Sequence, residues 1–426
     1  MKVLIISHNP VGTANNMGKT FLSLFSGFAR EELCQLYIYP TLPDSDCCGA
    51  YYRITDKDVL RSLACFRQPG GPVAPEKISR SNALFENPAD EGFYRSRKNK
   101  KPLRRLLRDA MWAMSRWHGS GLKQWLDREK PACIFVAPGT AGFLYDMAME
   151  IAEARQIPIV TYICDDYYFT KVPGGLLGRF QHCRLRARIE KLIGSSDRLV
   201  VICPELAEAY TARFGIPASV VMTGTAYPVA RAPRVRDEPR VISYFGNIRC
   251  GRNRSLAEIG RELDRINREE NTHRVLRIYT AEKDGQILSV LEGIASVELP
   301  GYISGVEFEQ ALRDAELLLH TEGFAPEDVD RVRHSLSTKI ADSLASGVPL
   351  LAYGPAEVAS MGHLLRNRCA VTAVTREQLA PMLQTAFTDG AACRRAAEQG
   401  LATAREFHEP GKAAGCLRQV LTQSGT

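Results

Sequence analysis

The sequence predicts an α/β protein built from two doubly wound domains in tandem, and three observations carry that expectation. The chain has 426 residues, too many for one ordinary core and enough for two domains of roughly 200 residues each. Short apolar runs alternate with helix-period segments along most of the chain, the pattern of parallel strands covered by helices on both faces. The alternation breaks at Pro228–Pro239, a stretch rich in proline and charge, and then restarts. The expected division is an N-terminal domain over residues 1–227, a linker over 228–239, a second domain over 240–400 and a helical tail over 401–426 that packs back on the first domain.

The first domain opens with Met1-Lys-Val-Leu-Ile-Ile-Ser7, too short for a signal-peptide core and suited to a buried first strand. Its expected strands are Lys2–Ser7, Cys34–Tyr39, Ala132–Ala137, Pro158–Ile163, Leu199–Cys203 and Val220–Thr223. Helical periodicity marks Thr20–Ala29, Leu103–Trp117, Gly142–Arg155 and Leu176–Ile193. In the second domain, strands are expected at Arg240–Phe245, Val275–Tyr279, Ser296–Leu299, Leu317–His320, Pro349–Tyr353 and Ala370–Ala373. Ligands of such sheets bind at the carboxyl ends of the strands, so the loops there are the first place to look for chemistry.

Composition narrows the class. Apolar residues make up 45% and charged residues 24% of the chain, as in soluble globular proteins. No apolar run approaches the roughly 18 residues of a membrane span. The 12 cysteines show no Cys-x-x-Cys spacing, which points to a reduced cytoplasmic protein without a zinc site or disulfide framework. The formal charge of +7 is mild; with no nucleic-acid-binding module, a nucleic-acid partner is not expected.

The most informative segment is Arg333–Pro355. It reads as a polar loop, a short helix capped by Ser335 or Ser337, a stop at Gly347 and a buried strand. A helix start exposes unpaired N–H groups and the positive end of the helix dipole, which attract phosphate. Ser337, Thr338 and Lys339 add hydroxyls and a positive charge there. Asp342, on the same face as Lys339, is placed to accept hydrogen bonds from sugar hydroxyls. Phosphate donors beside a hydroxyl acceptor suit a nucleotide sugar.

Lys339, Asp342, Leu344, Ala345, Gly347 and Pro349 fall on the pattern Lys-x-x-Glu-x-(Leu/Met)-Ala-x-Gly-x-Pro. The segment thereby resembles the retaining glycosyltransferases of family 4 (group 1). The resemblance implies the GT-B fold, two Rossmann-like domains facing a cleft, and a nucleoside diphosphate sugar as donor, with no cofactor or metal required. Two departures stand out: Asp342 replaces the usual glutamate, and His334 holds the place of the second acid eight residues upstream. Glu322, in His-Thr-Glu-Gly-Phe324, matches that acid in local context but stands too far from Asp342 unless a segment is inserted.

Val241–Leu256 carries a second signal, a strand running into Gly246 and an arginine-rich loop. The resembling enzymes clamp the diphosphate with an arginine after that glycine and a lysine five residues later. Asn247 takes the first place and Arg252 the second, and Arg249 is positioned to replace the lost charge. Ile303, after the third strand of the domain and with Tyr302 beside it, matches the place where the family offers backbone atoms to the base.

In the first domain, Asp165 and Asp166 end a strand and are the acceptor-side candidates, for orienting a hydroxyl or stabilising charge on the sugar ring. The loop His8–Thr20 brings Asn15, Asn16, Gly18 and Lys19 to the same edge, as contacts for donor phosphate or acceptor. Its Gly-Lys-Thr ending approaches a P-loop, but the glycine required five residues before Gly18 is Thr13. Asp44-Ser-Asp46 mimics a metal-binding Asp-x-Asp in a loop context and is rejected. Finally, Arg95–Arg108 is strongly basic beside an apolar stripe. Over 95–117 it fits either an anionic membrane surface, making the protein peripheral on the inner face of a membrane, or a core-packed helix with a solvated basic side.

The expected activity is transfer of a sugar, with retention, to a glycan, lipid-linked or small-molecule acceptor. A non-catalytic nucleotide-sugar-binding module on the same fold is the alternative, and a P-loop phosphoryl-transfer enzyme the more remote one.

Overall fold

In the computed structural model, residues 1–13, 15–65, 68–78, 102–170 and 175–423 are described, with Asn16, Pro102 and Pro410 described by backbone alone. The chain divides into two units, Met1–Met222 with Ala413–Thr426, and Thr223–Lys412. The tail is therefore split: residues 401–412 stay with the second unit, and only the part from Ala413 onward joins the first.

Among the described residues the first unit holds a sheet of eight strands: β1 (Val3–Ser7), β2 (Leu33–Tyr37), β3 (Ala50–Arg53), β4 (Gly71–Pro72), β5 (Cys133–Val136), β6 (Ile159–Ile163), β7 (Arg198–Val201) and β8 (Ala218–Val220). Their order is β4-β3-β2-β1-β5-β6-β7-β8, parallel except for the β3–β4 edge pair. The sequence patterns missed β3 and the edge strand β4, which are four and two residues long, too short to show a period. The strand expected at Val220–Thr223 begins two residues earlier and already ends at Val220. Helices α1 (Asn16–Leu24), α2 (Asp56–Cys65), α3 (Pro102–Met114), α4 (Ser120–Glu129), α5 (Phe143–Arg155), α6 (Leu176–Gly194) and α7 (Pro204–Phe214) accompany it.

The core follows from the apolar strand runs. Val3, Ile5, Phe135 and Tyr162 from the sheet meet Phe21 and Phe25 of α1, with ring centroids 5.1–6.0 Å apart where Phe135 meets the other two phenylalanines. Ala413, Leu417, Val420 and Leu421 of the tail helix complete this core. Arg418 fixes the tail, donating to both oxygens of Glu32 at 2.8 and 2.9 Å and lying 4.1 Å from the Phe28 ring centroid.

The second unit holds β9 (Val241–Phe245), β10 (Val275–Tyr279), β11 (Val297–Glu298), β12 (Leu317–Thr321), β13 (Leu350–Tyr353) and β14 (Val371–Ala373). The order β11-β10-β9-β12-β13-β14 is parallel throughout. Counted from its own first strand this is 3-2-1-4-5-6, the doubly wound order whose switch point lies between β9 and β12. The helices are α8 (Arg252–Glu270), the single turn α9 (Gly285–Leu288), α10 (Val306–Asp314), α11 (Pro326–Val332), α12 (Thr338–Ala345), α13 (Ala359–Arg366), α14 (Leu379–Thr388), α15 (Gly390–Thr403) and, at the crossing back to the first unit, α16 (Pro410–Thr422). Among the described residues, no helix is long and apolar enough to cross a membrane.

A buried histidine pair ties the second unit together. His363 on α13 meets His408 ring to ring, Nε2 to Nε2 at 3.0 Å, while His408 Nδ1 lies 3.1 Å from the Thr223 carbonyl. Burial lowers both rings, His363 to about 3 with help from the charges of His408 and Arg366, and His408 to about 4, against an ordinary 6.5. Both are therefore neutral when folded, whereas the unfolded chain takes up protons below pH 6.5. Stability is complete above that pH and declines as pH falls toward 4. Urea unfolding of the second unit should show this acid slope, and replacing both histidines by glutamine should flatten it; an unchanged slope in that variant would place the acid sensitivity elsewhere.

Candidate functional site

Two glycines shape the switch point of the second unit. Gly251, at φ 74°, stands where an added Cβ would come within 2.4 Å of Asp328 Oδ2 and 3.0 Å of Gly323 Cα. A Cβ on Gly323 would meet the Cys250 carbonyl at 2.5 Å. Backbone therefore touches backbone, and the loop after β9 closes onto the loop after β12. Closure sets Arg252, first residue of α8, against Glu322, with Nη2 2.7 Å from Oε2. Glu322 is 1% exposed, and its other oxygen lies 3.3 Å from His320 Nε2. Burial opposes ionisation of Glu322, but Arg252 and His320 outweigh it and hold the carboxyl below its ordinary range. The pair is buried and mutually neutralised.

The remaining polar residues of this loop are engaged within the unit, although Asn247 and Arg249 stay exposed. Asn247 Oδ1 accepts from the Arg249 amide at 2.7 Å, and Tyr244 donates its hydroxyl to the Asn247 carbonyl at 2.7 Å. Arg249 grips Glu282 at 2.6 and 2.8 Å. Gly246 adopts φ 149° at the strand end. Of the charges that the sequence offers a diphosphate here, Arg249 and Arg252 each have a carboxylate partner inside the unit.

The start of α12 is different. Ser337 occupies the N-cap position, but its side chain makes no cap bond, so the expected cap does not form and the hydroxyl is not committed to the helix. Ser360 of α13 braces the approach, its Oγ accepting from the Ser337 amide at 3.0 Å and donating to the Ser335 carbonyl at 3.0 Å. Lys339 stands 4.6 Å over the Phe308 ring and 3.9 Å from Asp342 Oδ2. Asp342 is mostly buried, and its Oδ1 accepts from Thr225 Oγ1 and the Ala226 amide, both at 3.1 Å. One carboxylate oxygen thus holds the connecting chain, leaving Oδ2 on the Lys339 side. His334 is half-buried between α11 and α12. The segment separating Glu322 from Asp342 contains the whole of α11.

An aromatic group that sequence reasoning missed lies alongside. Phe245 and Tyr279 end adjacent strands in register and stack at 4.8 Å, Phe308 meets Phe245 edge-on at 5.0 Å, and Tyr227 packs on Phe308 at 5.9 Å. The available signal was one aromatic at the end of each of two neighbouring strands. Tyr302 is exposed and Ile303 half-buried in the loop before α10.

In the first unit, buried Gln35 organises the loop after β1, donating to Ser7 Oγ and the Asn9 carbonyl and accepting from the Val11 amide. Asp44 receives the Thr13 amide and hydroxyl at 2.8 and 2.6 Å, so this rejected metal-motif acid serves as a loop fastener. Asn15 caps α1 by accepting from the Gly18 amide at 2.7 Å. A Cβ on Gly18 would meet the Gly12 carbonyl at 2.5 Å. That amide is thereby occupied, while Lys19 points to solvent. Asn16 opens α1. His8, at the end of β1, is lowered to about 4 by burial and the nearby Arg108 charge. Asp166 accepts from the Tyr168 and Phe169 amides at 3.0 and 2.9 Å, a turn-forming role. Asp165 is raised by surrounding protein, with the Tyr167 hydrogen bond acting the other way and Asp166 adding to the rise.

The basic segment divides as well. Arg95–Lys101 lies outside the described residues. Arg108 is bound to Asp56 at 2.9 and 3.0 Å, and Trp112 donates to the same carboxylate at 2.8 Å. Trp112 and Trp117 are buried, so this part of 95–117 belongs to the core side.

No family model matches the sequence, and no curated protein matches it. Solved structures do. A sucrose-phosphate synthase from Thermosynechococcus elongatus aligns at 12% identity with TM-score 0.61, covering 99% of this chain and 98% of that one. Alr3699/HepE of Anabaena in complex with UDP aligns at 11% and 0.63, covering 99% and 100%. A UDP-forming α,α-trehalose-phosphate synthase from Burkholderia xenovorans, in complex with glucose-6-phosphate, aligns at 12% and 0.62 over the whole of both chains. At such identities the likeness shows the fold, which is GT-B, two doubly wound domains in one chain.

The Arg252–Glu322 pair yields a direct test. Glu322→Gln should destabilise the second unit by about 3 kcal/mol, because it leaves a buried guanidinium without its counter-charge. Glu322→Gln combined with Arg252→Met should recover much of that loss in denaturant melts; a fully stable single variant would show that the pair does not hold the switch point closed.

Proposed function

We propose that the protein is a glycosyltransferase that moves a sugar from a nucleoside diphosphate donor to a hydroxyl of a glycan, lipid-linked or small-molecule acceptor. The observation that carries this reading is the amino end of α12, where Ser337, Thr338 and Lys339 gather at the carboxyl edge of a doubly wound sheet with the N-cap side chain uncommitted. Backbone N–H groups, the helix dipole and an ammonium group suit a diphosphate leaving group whose negative charge grows as the sugar departs. The fold shared with Alr3699/HepE, solved in complex with UDP, supports the same assignment.

In this reading Lys339 meets the diphosphate directly. Asp342 steadies Lys339 and presents Oδ2 toward ribose. The stacked Phe245–Tyr279 pair and Phe308 wall this side of the donor, and Tyr302 with Ile303 receives the base. Gly246 allows close approach of the phosphate to the β9 backbone. Arg252, Glu322 and Asn247 shape the floor, while Arg249 reaches the phosphate only by leaving Glu282. His334 approaches the donor from the α11–α12 connection. The leaving phosphate itself accepts the acceptor's proton, giving retention without a protein nucleophile or a metal. On the acceptor side, Asp165, with its carboxyl raised, orients the incoming hydroxyl; Asn15, Asn16 and Lys19 contribute from the loop after β1. Gly18 takes part only if its amide leaves Asn15, which also counts against a P-loop phosphate cradle. Twelve free cysteines suit a reducing compartment, and we place the reaction in the cytoplasm.

A second reading, a nucleotide-sugar-binding module without turnover, is favoured by one observation: Arg249 and Arg252 are both neutralised by neighbouring carboxylates. Turnover separates the two. A panel of nucleotide sugars screened by thermal shift should identify the donor, and product analysis should then show transfer or slow donor hydrolysis. Lys339→Ala should lower kcat/KM by about 30- to 1,000-fold, or about 2–4 kcal/mol of transition-state stabilisation. The fold should survive, since the contact with Phe308 contributes only about 0.5–1 kcal/mol. Wild-type turnover in a stable Lys339→Ala protein would remove Lys339 from the donor site. Donor binding with no turnover in the parent protein would favour the module.

A further inference from the structure

Helices α3 and α6 of the first unit lie side by side and run in the same direction. Asp109 of α3 meets Arg188 of α6 at 2.8 Å, and further along Trp112 and Ala113 share a groove with Lys191 and Ser195. Each helix buries one side: Trp112 is buried on α3, and Ile189, Leu192 and Ile193 are buried on α6. With 3.6 residues per turn, the side left outward is apolar along α3 and over the first turns of α6. Leu103, Leu107 and Met114 of α3 are 57%, 62% and 66% exposed, and Leu176, Leu177 and Phe180 of α6 are 86%, 42% and 54% exposed. Six large apolar side chains on two adjacent helices exceed the scattered exposure of an ordinary surface.

The surrounding charge is one-sided. Arg104, Arg179 and Arg184 are exposed beside these residues, with the Arg184 guanidinium 6.0 Å from the Phe180 ring centroid. Each helix carries a single acid, and both acids are engaged: Asp109 with Arg188, and Glu190 with Arg213 and the Tyr168 hydroxyl. An apolar face fringed by arginines, with the single acid of each helix ion-paired, complements an anionic lipid surface, where the rings and leucines enter the acyl boundary and the guanidinium groups meet headgroup phosphates.

We propose that the α3–α6 face docks the protein on anionic membranes. This surface is distinct from the donor site and does not depend on the glycosyltransferase reading. It also differs from a simple basic-helix anchor. Arg108 and the two tryptophans face inward, and α6, far away in sequence, supplies half of the apolar surface.

Sedimentation of the full chain with vesicles tests the proposal. The protein should pellet with phosphatidylcholine vesicles containing phosphatidylglycerol, weakly with phosphatidylcholine alone, and less as salt rises. Arg104→Glu with Arg179→Glu should weaken binding by at least roughly fivefold for each arginine lost. Leu107→Ser with Phe180→Ser should weaken binding to the anionic vesicles while leaving the melting temperature unchanged, since both side chains are already in solvent. Parent protein that ignores the anionic vesicles would overturn the proposal, as would either variant binding like the parent. So would a parent dimer that becomes monomeric in the Leu107→Ser, Phe180→Ser variant, because the face would then belong to a second copy of the chain.

Discussion

A parallel sheet with helical crossovers sends each returning helix down from the carboxyl edge of the strands, so helix amino termini collect at that edge. In the second unit this constraint puts the start of α12 beside the loops that leave β9 and β12. The rest of the candidate site elaborates that placement. Gly251 and Gly323 let the two loops meet backbone to backbone, Arg252 and Glu322 lock them electrostatically, and α13 braces the entry to α12 through Ser360. A rigid frame around an uncommitted helix start is what anion recognition requires.

The distribution of charge within the site qualifies what its arginines do. Arg249, Arg252 and Arg108 all carry full charges at positions where a sequence suggests ligand or lipid contact. In the structure each faces a carboxylate, Glu282, Glu322 and Asp56 respectively. Such a pair fixes geometry more than it supplies free charge; in the buried Arg252–Glu322 pair, the desolvation already suffered by both ions offsets their attraction. In the proposed reading the α12 dipole adds to the charge of Lys339, which itself stands 3.9 Å from Asp342 Oδ2.

Much of the fold was legible because its determinants are local. The strand runs at Val241, Val275, Leu317 and Leu350 are mostly apolar, broken by residues such as Arg277, and they formed close to where the pattern put them. Strand β3 and the edge strand β4 escaped because their pairing comes from neighbours rather than from their own four- and two-residue patterns. At the site, the α12 segment was legible because helix starts are written in consecutive residues. The partners of Asp342, namely Thr225 and Ala226, were not, since they lie more than a hundred residues away in the chain. The same holds for the Phe245–Tyr279–Phe308 group, which only strand register and helix packing bring together. In the basic segment, composition identified the charge, but only packing could separate Arg108, turned inward, from Arg104, turned out.

The central claim is that a nucleoside diphosphate sits on the amino end of α12. Hydrogen–deuterium exchange of the full chain, with and without a saturating nucleoside diphosphate identified by thermal shift, addresses it most directly, because bound phosphate should shield those particular backbone amides. The account predicts slowed exchange in the peptide covering Ser337–Asp342 and in the loop from Gly246 to Arg252. Slowed exchange confined to the loop after β1, with Ser337–Asp342 unchanged, would contradict it and move the anion site to the other unit.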